Sequence, residues 1–293
     1  MPDKLSSDEQ VGSARAPSVS FPETSYGIVK RLQTIEAWTA AVAQRVGNTS
    51  LSILDYGCGT GDHVTFPLAS QGHRVLGVDV HEASITEASR RYQLPNLAFR
   101  TNHLESLIQE GLTFDLIICS EVLEHLHRPL DCLHIMRQLL NPAGALIITT
   151  PNGYGSYELL CRLQRGLTWI GVDQIARRVV HARRRLRARS IDEATPVKTQ
   201  SSNGQMGFLN VESGHVQFFR VRHLMHLFDG SGFRVANRRA RSFLCGPYID
   251  VLLRVPPFRQ VLYRFNNQVA DVLPFAWSAD WMFLLEPVEK SVL

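Results

Sequence analysis

Leu54-Asp55-Tyr56-Gly57-Cys58-Gly59-Thr60-Gly61-Asp62-His63 describes a buried strand that ends in a loop built largely of glycine. The apolar run from Leu51 to Leu54 supplies the strand, and Gly57, Gly59 and Gly61 admit main-chain N–H groups to a ligand that any Cβ would hold off. Alone, such a loop is weak evidence. The dinucleotide fingerprint sets its third glycine one position later, where this chain has Asp62, and a P-loop needs a Gly-Lys-Ser/Thr that is missing.

The second motif narrows the reading. Val75-Leu76-Gly77-Val78-Asp79-Val80 is another buried strand, and its acid lies 18 residues beyond Gly61, where a carboxylate accepts both hydroxyls of a ribose. A nucleoside cofactor fits the pair. Each residue also has a plain structural reading: Asp55 anchoring the loop, Gly59 making a turn, Asp79 capping a helix that starts near Glu82.

With these motifs the chain resembles the class I S-adenosylmethionine (SAM) methyltransferases. The resemblance continues in order through Phe114-Asp115-Leu116-Ile117-Ile118-Cys119-Ser120-Glu121-Val122-Leu123-Glu124-His125 and Leu140-Asn141-Pro142-Ala143-Gly144-Ala145-Leu146-Ile147-Ile148-Thr149-Thr150-Pro151-Asn152. It implies S-adenosyl-L-methionine as cofactor, held by Asp55, Gly57, Cys58, Gly59 and Gly61 around the methionine part and by Asp79 on the ribose. Asn102 and His103 would lie beside the adenine, and Ser120 and Glu121 would close the strand-four side. Asn102 stands where the family often has aspartate.

The fold expected is α/β, a doubly wound, mostly parallel seven-stranded sheet of Rossmann-like type with two insertions. Strands are expected at 51–55, 74–79, 97–100, 114–119 and 145–150, with helical stretches such as 83–92 and 130–139 between them. Later strands at 233–241 and 281–286 would complete the sheet, the last one antiparallel by analogy with the family. Ile28, Leu32, Ile35, Trp38 and Val42 recur at helical spacing and predict an amphipathic helix over 26–46. The organisation is then a disordered tail (1–25), an N-terminal helix (26–48), a SAM-binding core (49–152), a basic insertion (153–217), a core helix and strand (218–241), an apolar insertion (242–277), and a last strand and tail (278–293).

The 293 residues, 44% of them hydrophobic, suffice for one large domain. No apolar run is long enough to span a membrane, the first 20 residues are polar without a signal-type core, and five cysteines lack paired metal spacing. These features predict a cytoplasmic protein without disulfides.

The insertions carry what the common core does not. Between Cys161 and Ser190 nine arginines, Arg162 to Arg189, face the single acid Asp173, a local charge of +8 in a chain of +4. Three readings compete: a site for an anionic substrate, a foot on the inner face of an anionic membrane, or a solvated helix. Nucleic acid ranks lower, because no aromatic platform is interleaved. The second insertion is apolar with interspersed Arg254, Arg259 and Arg264, which suits a membrane interface, a pocket wall or packing on the sheet.

Methyl transfer from a sulfonium needs alignment and, for a hydroxyl acceptor, removal of a proton. Glu121, Glu124 and His125 begin the segment after strand four, and would share one face if it is helical; His215 follows the first insertion. Glu121, His125 and His215 are the candidate catalytic residues. Glu121, Glu124, His125 and His215 together resemble the metal site of ubiquinone-pathway O-methyltransferases (the first three) and of small-RNA 3′-terminal 2′-O-methyltransferases (all four), which implies Mg2+ or Mn2+ beside a metal-free alternative. No Asn/Asp-Pro-Pro-Tyr run follows strand four, which favours oxygen over nitrogen as the acceptor. The reading is methyl transfer to a hydroxyl of a small-molecule or lipid-linked acceptor; a 2′-hydroxyl of an RNA end, or a non-catalytic SAM-binding, membrane-associated module, are the alternatives.

Overall fold

The computed structural model describes residues 22–24, 26–155, 216–245 and 258–288. Their order is α1 (Ile28–Val46), β1 (Ser52–Tyr56), α2 (Thr65–Ser70), β2 (Arg74–Asp79), α3 (Glu82–Arg91), β3 (Leu97–Thr101), α4 (Leu104–Gln109), β4 (Phe114–Ser120), α5 (Pro129–Leu139), β5 (Leu140–Pro151), α6 (Val221–Gly230), β6 (Phe233–Ala240), α7 (Arg259–Val272) and β7 (Asp280–Pro287). Short 3-10 turns occupy Leu123–His125 and Phe275–Trp277.

The strands form one seven-stranded sheet in the order β3-β2-β1-β4-β5-β7-β6. β1 pairs in parallel with β2 and β4, β4 with β5, and β2 with β3, whereas β7 is antiparallel to both neighbours. Chain direction reverses only there, as the resemblance implies. Strands covered on both faces read as continuous apolar runs. In β4, Leu116 and Ile118 face a core with Ile35, Trp38 and Leu68 from α1 and α2, while Ile117 and Cys119 face one with Leu133, Leu224 and Phe228 from α5 and α6.

One expectation fails at a place that matters. Residues 121–125 are not a helix: Glu121 sits in the left-handed region at φ 59°, and only Leu123–His125 turn, as a 3-10 segment. Glu121, Glu124 and His125 therefore do not share a helical face. The sharp exit from β4 is held by the Glu121 N–H, which donates to the Thr149 carbonyl on β5 at 2.9 Å.

All five parallel strands end on one edge of the sheet, and the antiparallel β7 begins there. This brings residues 57–61, 79–81, 102–103, 120–122, 152–154, 241 and 280 to a single rim, where ligands of open α/β sheets bind. The glycine loop shapes that rim by packing. A Cβ at Gly61 would lie 2.7 Å from the Phe99 ring, and φ there is +76°. Gly61→Ala is expected to lower stability by about 2–4 kcal/mol, combining left-handed strain with overpacking. Gly47 has a similar φ of +72° but open space around its Cβ position, so Gly47→Ala should cost about 1–2 kcal/mol. Thermal unfolding of both variants measures the difference, and equal losses would remove the Phe99 clash from the account.

Candidate functional site

The loop after β1 does not use its glycines as the sequence suggests. The N–H groups of Gly57 and Cys58 both donate to the Val78 carbonyl (2.7 and 3.1 Å), Gly61 donates to Cys58, and Gly59 donates to Asp79 Oδ2 at 2.9 Å. These four donors are engaged within the protein and do not form a cradle for an anion. A Cβ at Gly57 would meet Val122 at 2.2 Å, so that glycine serves close packing against the strand-four exit. Of the three loop glycines, only Gly59 has open space where a Cβ would stand. Cys58 is a small filler whose thiol burial pushes its pKa up.

Asp79 is the brace of the loop. Its Oδ2 takes the Gly59 N–H and its Oδ1 takes the His81 N–H at 2.8 Å, so the carboxylate is fixed at the end of β2 before any ligand arrives. A carboxylate oxygen keeps further lone pairs, so two ribose hydroxyls can still be accepted. The Asn102 N–H reaches the Asp79 carbonyl at 3.3 Å, which sets Asn102 and the exposed His103 beside it. Beneath the loop Asp55 is 3% exposed and accepts from Thr65 Oγ1 at 2.6 Å. Burial raises its pKa to about 6 despite that bond and the pull of Arg31.

Across the mouth lies a charge cluster that the sequence did not disclose. Arg241, 4% exposed just after β6, forks onto Glu121 (Nη1–Oε1 3.0 Å, Nη2–Oε2 3.2 Å) and also reaches Asp280 at 2.7 Å. Thr149 donates to Glu121 Oε1 at 2.7 Å and pairs with Ser120, while Ser242 donates to Asp280. Burial would raise the Glu121 carboxyl, but Arg241 and Arg31 outweigh it and leave the pKa below its ordinary value. Arg31 enters from α1, and its charge acts on Asp55, His63, Glu121 and Asp280 together. Neither arginine stands in a motif; only the fold brings residues 31, 121, 241 and 280 together.

The residues present do not fit a divalent ion. Glu121 has both oxygens on a guanidinium, whose charge repels a second cation. Glu124 is 1% exposed, burial with Glu121 beside it raises its carboxyl well above the ordinary range, and it accepts from Thr150 Oγ1 at 3.2 Å. A hard cation takes oxygen ligands, carboxylates foremost, and the Glu121 carboxylate is already committed to Arg241. His125 is exposed, and among the described residues no group of three His, Cys, Asp or Glu could hold an ion. His215 and the arginine block lie outside the described residues.

A family profile described as a methyltransferase domain matches residues 30–237. The chain belongs to this methyltransferase family. Curated relatives agree in part: a ubiquinone biosynthesis O-methyltransferase of Roseobacter denitrificans is 38% identical over 104 residues, 35% of this chain and 42% of that protein. One from Rickettsia canadensis is 36% identical over 107 residues, 36% of this chain and 44% of that protein. The chain thus matches about two-fifths of the length of these relatives. Among solved structures, the magnesium protoporphyrin IX methyltransferase of Synechocystis superposes with a TM-score of 0.50 at 16% identity, over 88% of this chain and 82% of that one, a likeness of fold. The class I methyltransferase fold expected from the motifs is therefore the one present.

Two consequences can be measured. Asp55 binds its proton more tightly folded (about 6) than unfolded (3.8), so its contribution to stability is full below 3.8 and is lost as pH rises to about 6. The stability of the protein minus that of Asp55→Asn should fall across that window by an amount on the order of 1–3 kcal/mol, and a flat difference would contradict the assignment. Arg241→Gln leaves the buried Asp280 and the half-buried Glu121 without their cation and should cost about 3 kcal/mol in denaturant unfolding, with Arg241→Lys restoring only part because an ammonium cannot fork.

Proposed function

We propose that the protein transfers the methyl group of SAM to a hydroxyl oxygen of a small, hydroxylated acceptor by in-line displacement, without a metal. The observation that carries this reading is Asp79, braced in advance by Gly59 and His81 at the strand-two end and flanked by Asn102. In this arrangement Asp79 accepts the ribose hydroxyls, Asn102 and His103 border the adenine, and the backbone at Gly59 lies against the methionine part. Arg31, whose charge reaches Asp55 and Glu121, meets the donor's carboxylate. The sulfonium then lies toward the strand-four exit, near the ionised Glu121.

SAM supplies an activated methyl group, and the chain supplies alignment and a place for the acceptor's proton. Holding both reactants in line is worth more than any single acid or base. Glu121 is the base this geometry favours, because Arg241 and Thr149 fix its carboxylate at the strand-four exit, whereas Glu124 is only 1% exposed. A carboxyl below its ordinary pKa is a weak base, which suits an acidic hydroxyl such as that of a phenol or hydroxyquinone. The relatives named for ubiquinone biosynthesis O-methylation support that class.

Transfer of labelled methyl from SAM to a panel of hydroxylated quinones and phenols tests the reading. The rate is expected to be unchanged in EDTA and to fall about 10- to 100-fold in Glu121→Gln. Loss of turnover in chelator, restored by Mg2+ or Mn2+, would overturn the metal-free mechanism. Asp79→Ala should weaken SAM binding about 100-fold through the loss of charged hydrogen bonds, and unchanged affinity would remove the ribose assignment.

A further inference from the structure

α7 is amphipathic the wrong way round for a helix packed on a soluble protein. The face it turns inward carries Tyr263, Asn266, Asn267 and Ala270, of which Asn266 is 6% and Asn267 2% exposed. Its outward pole carries Val261 at 64%, Phe265 at 63% and Val272 at 82% exposure, with Phe258 at 61% where the helix begins. The spacings of three, four and seven residues put these four along one line of the helix. Trp277, 65% exposed, stands on the 3-10 turn that packs against it.

The inverted pattern has a structural cause on the inner side. Asn266 exchanges hydrogen bonds with the Leu244 backbone (3.0 and 2.8 Å), Asn267 donates to the Thr24 carbonyl, and Lys30 Nζ donates to the Asn267 carbonyl. Those anchor points flank Arg31 and Arg241. Among the described residues nothing comparable accounts for the outer side. Burying polar groups within and leaving aromatic surface outside is costly in water unless something covers that surface.

We propose that α7 and the following turn dock the protein on an anionic lipid bilayer, the apolar line entering the interface. Charge selects this occupant. Arg259 and Arg264 are exposed on the same helix, and its only acid, Asp271, is engaged by Lys30 at 2.9 Å and by Arg239. The helix therefore presents cations and apolar groups with no free carboxylate, as interfacial helices do. Trp277 suits the headgroup level. A second copy is a poorer partner. A two-fold contact would set the arginines of one helix against those of the other. Docking would hold the Arg31–Arg241 side of the mouth near the membrane, within reach of a lipophilic acceptor. The inference does not depend on the assignment of the donor site.

Flotation of the full-length protein with vesicles of phosphatidylcholine alone, and with about one-third phosphatidylglycerol added, tests it. Binding to the anionic vesicles is expected to exceed that to neutral ones at least tenfold. Val261→Ser, Phe265→Ser and Val272→Ser together, and Phe265→Ser alone as the milder change, should reduce it about tenfold or more while SAM affinity stays unchanged. Arg259→Gln with Arg264→Gln should remove the anionic preference. Absence of vesicle binding by the parent protein, or a triple variant that floats as well as the parent, overturns the proposal. So does a concentration-dependent dimer in light scattering that the triple variant abolishes without any vesicle binding, which would assign the face to a second copy.

Discussion

The fork of Arg241 onto Glu121 and Asp280 is the interaction on which the mouth depends. Three strands end or begin there, β4 before Glu121, β6 before Arg241 and β7 at Asp280, and the guanidinium supplies the charge that lets the half-buried Glu121 and the buried Asp280 share one place. The Arg241 side chain also fixes the entry to α1, because a Cβ at Gly27 would stand 2.8 Å from its Cγ. Gly27 immediately precedes the helix that carries Arg31. One guanidinium thus ties the strand-four exit, the sheet edge and the N-terminal helix together. A buried ion pair adds little net stability, but losing one member is costly, so the arrangement specifies geometry more than it adds energy.

Glu121 is where this geometry becomes chemical. Its left-handed backbone turns the side chain away from the helical course that the sequence suggests, toward Arg241 and Thr149. Strained residues of this kind persist where surrounding contacts over-determine them, and they cluster at functional sites. The two neighbouring glutamates then differ in setting: despite burial, Arg241 and Arg31 hold the Glu121 carboxyl below its ordinary pKa, and burial pushes that of Glu124 well above it.

The fold was legible because periodicity and punctuation are local. Apolar runs ending in Gly57–Gly61, Asp79 and Ser120 mark strand ends, and the observed strands follow them within a few residues. The exception is β5, which begins at Leu140, five residues before the expected start, because Leu140 pairs with Phe114 across a register shift. Asp79 was legible as a carboxylate at a strand end. Its two backbone partners were not, since they come from separate turns. Arg31, Arg241 and Asp280 were invisible for a stronger reason: they are far apart in the chain, lie in no motif and acquire meaning only when β7 inserts between β5 and β6. The apolar character of 242–277 was evident from composition. That α7 turns its polar side inward could be seen only once Asn266 and Asn267 were placed against Leu244 and Thr24.

Calorimetric titration of the protein with SAM in the presence of EDTA reads the donor site proposed at Asp79 and Gly59 directly. The account predicts one site per chain with an affinity of about micromolar, −8 kcal/mol. A folded protein that gives no heat with SAM or with S-adenosylhomocysteine would contradict it.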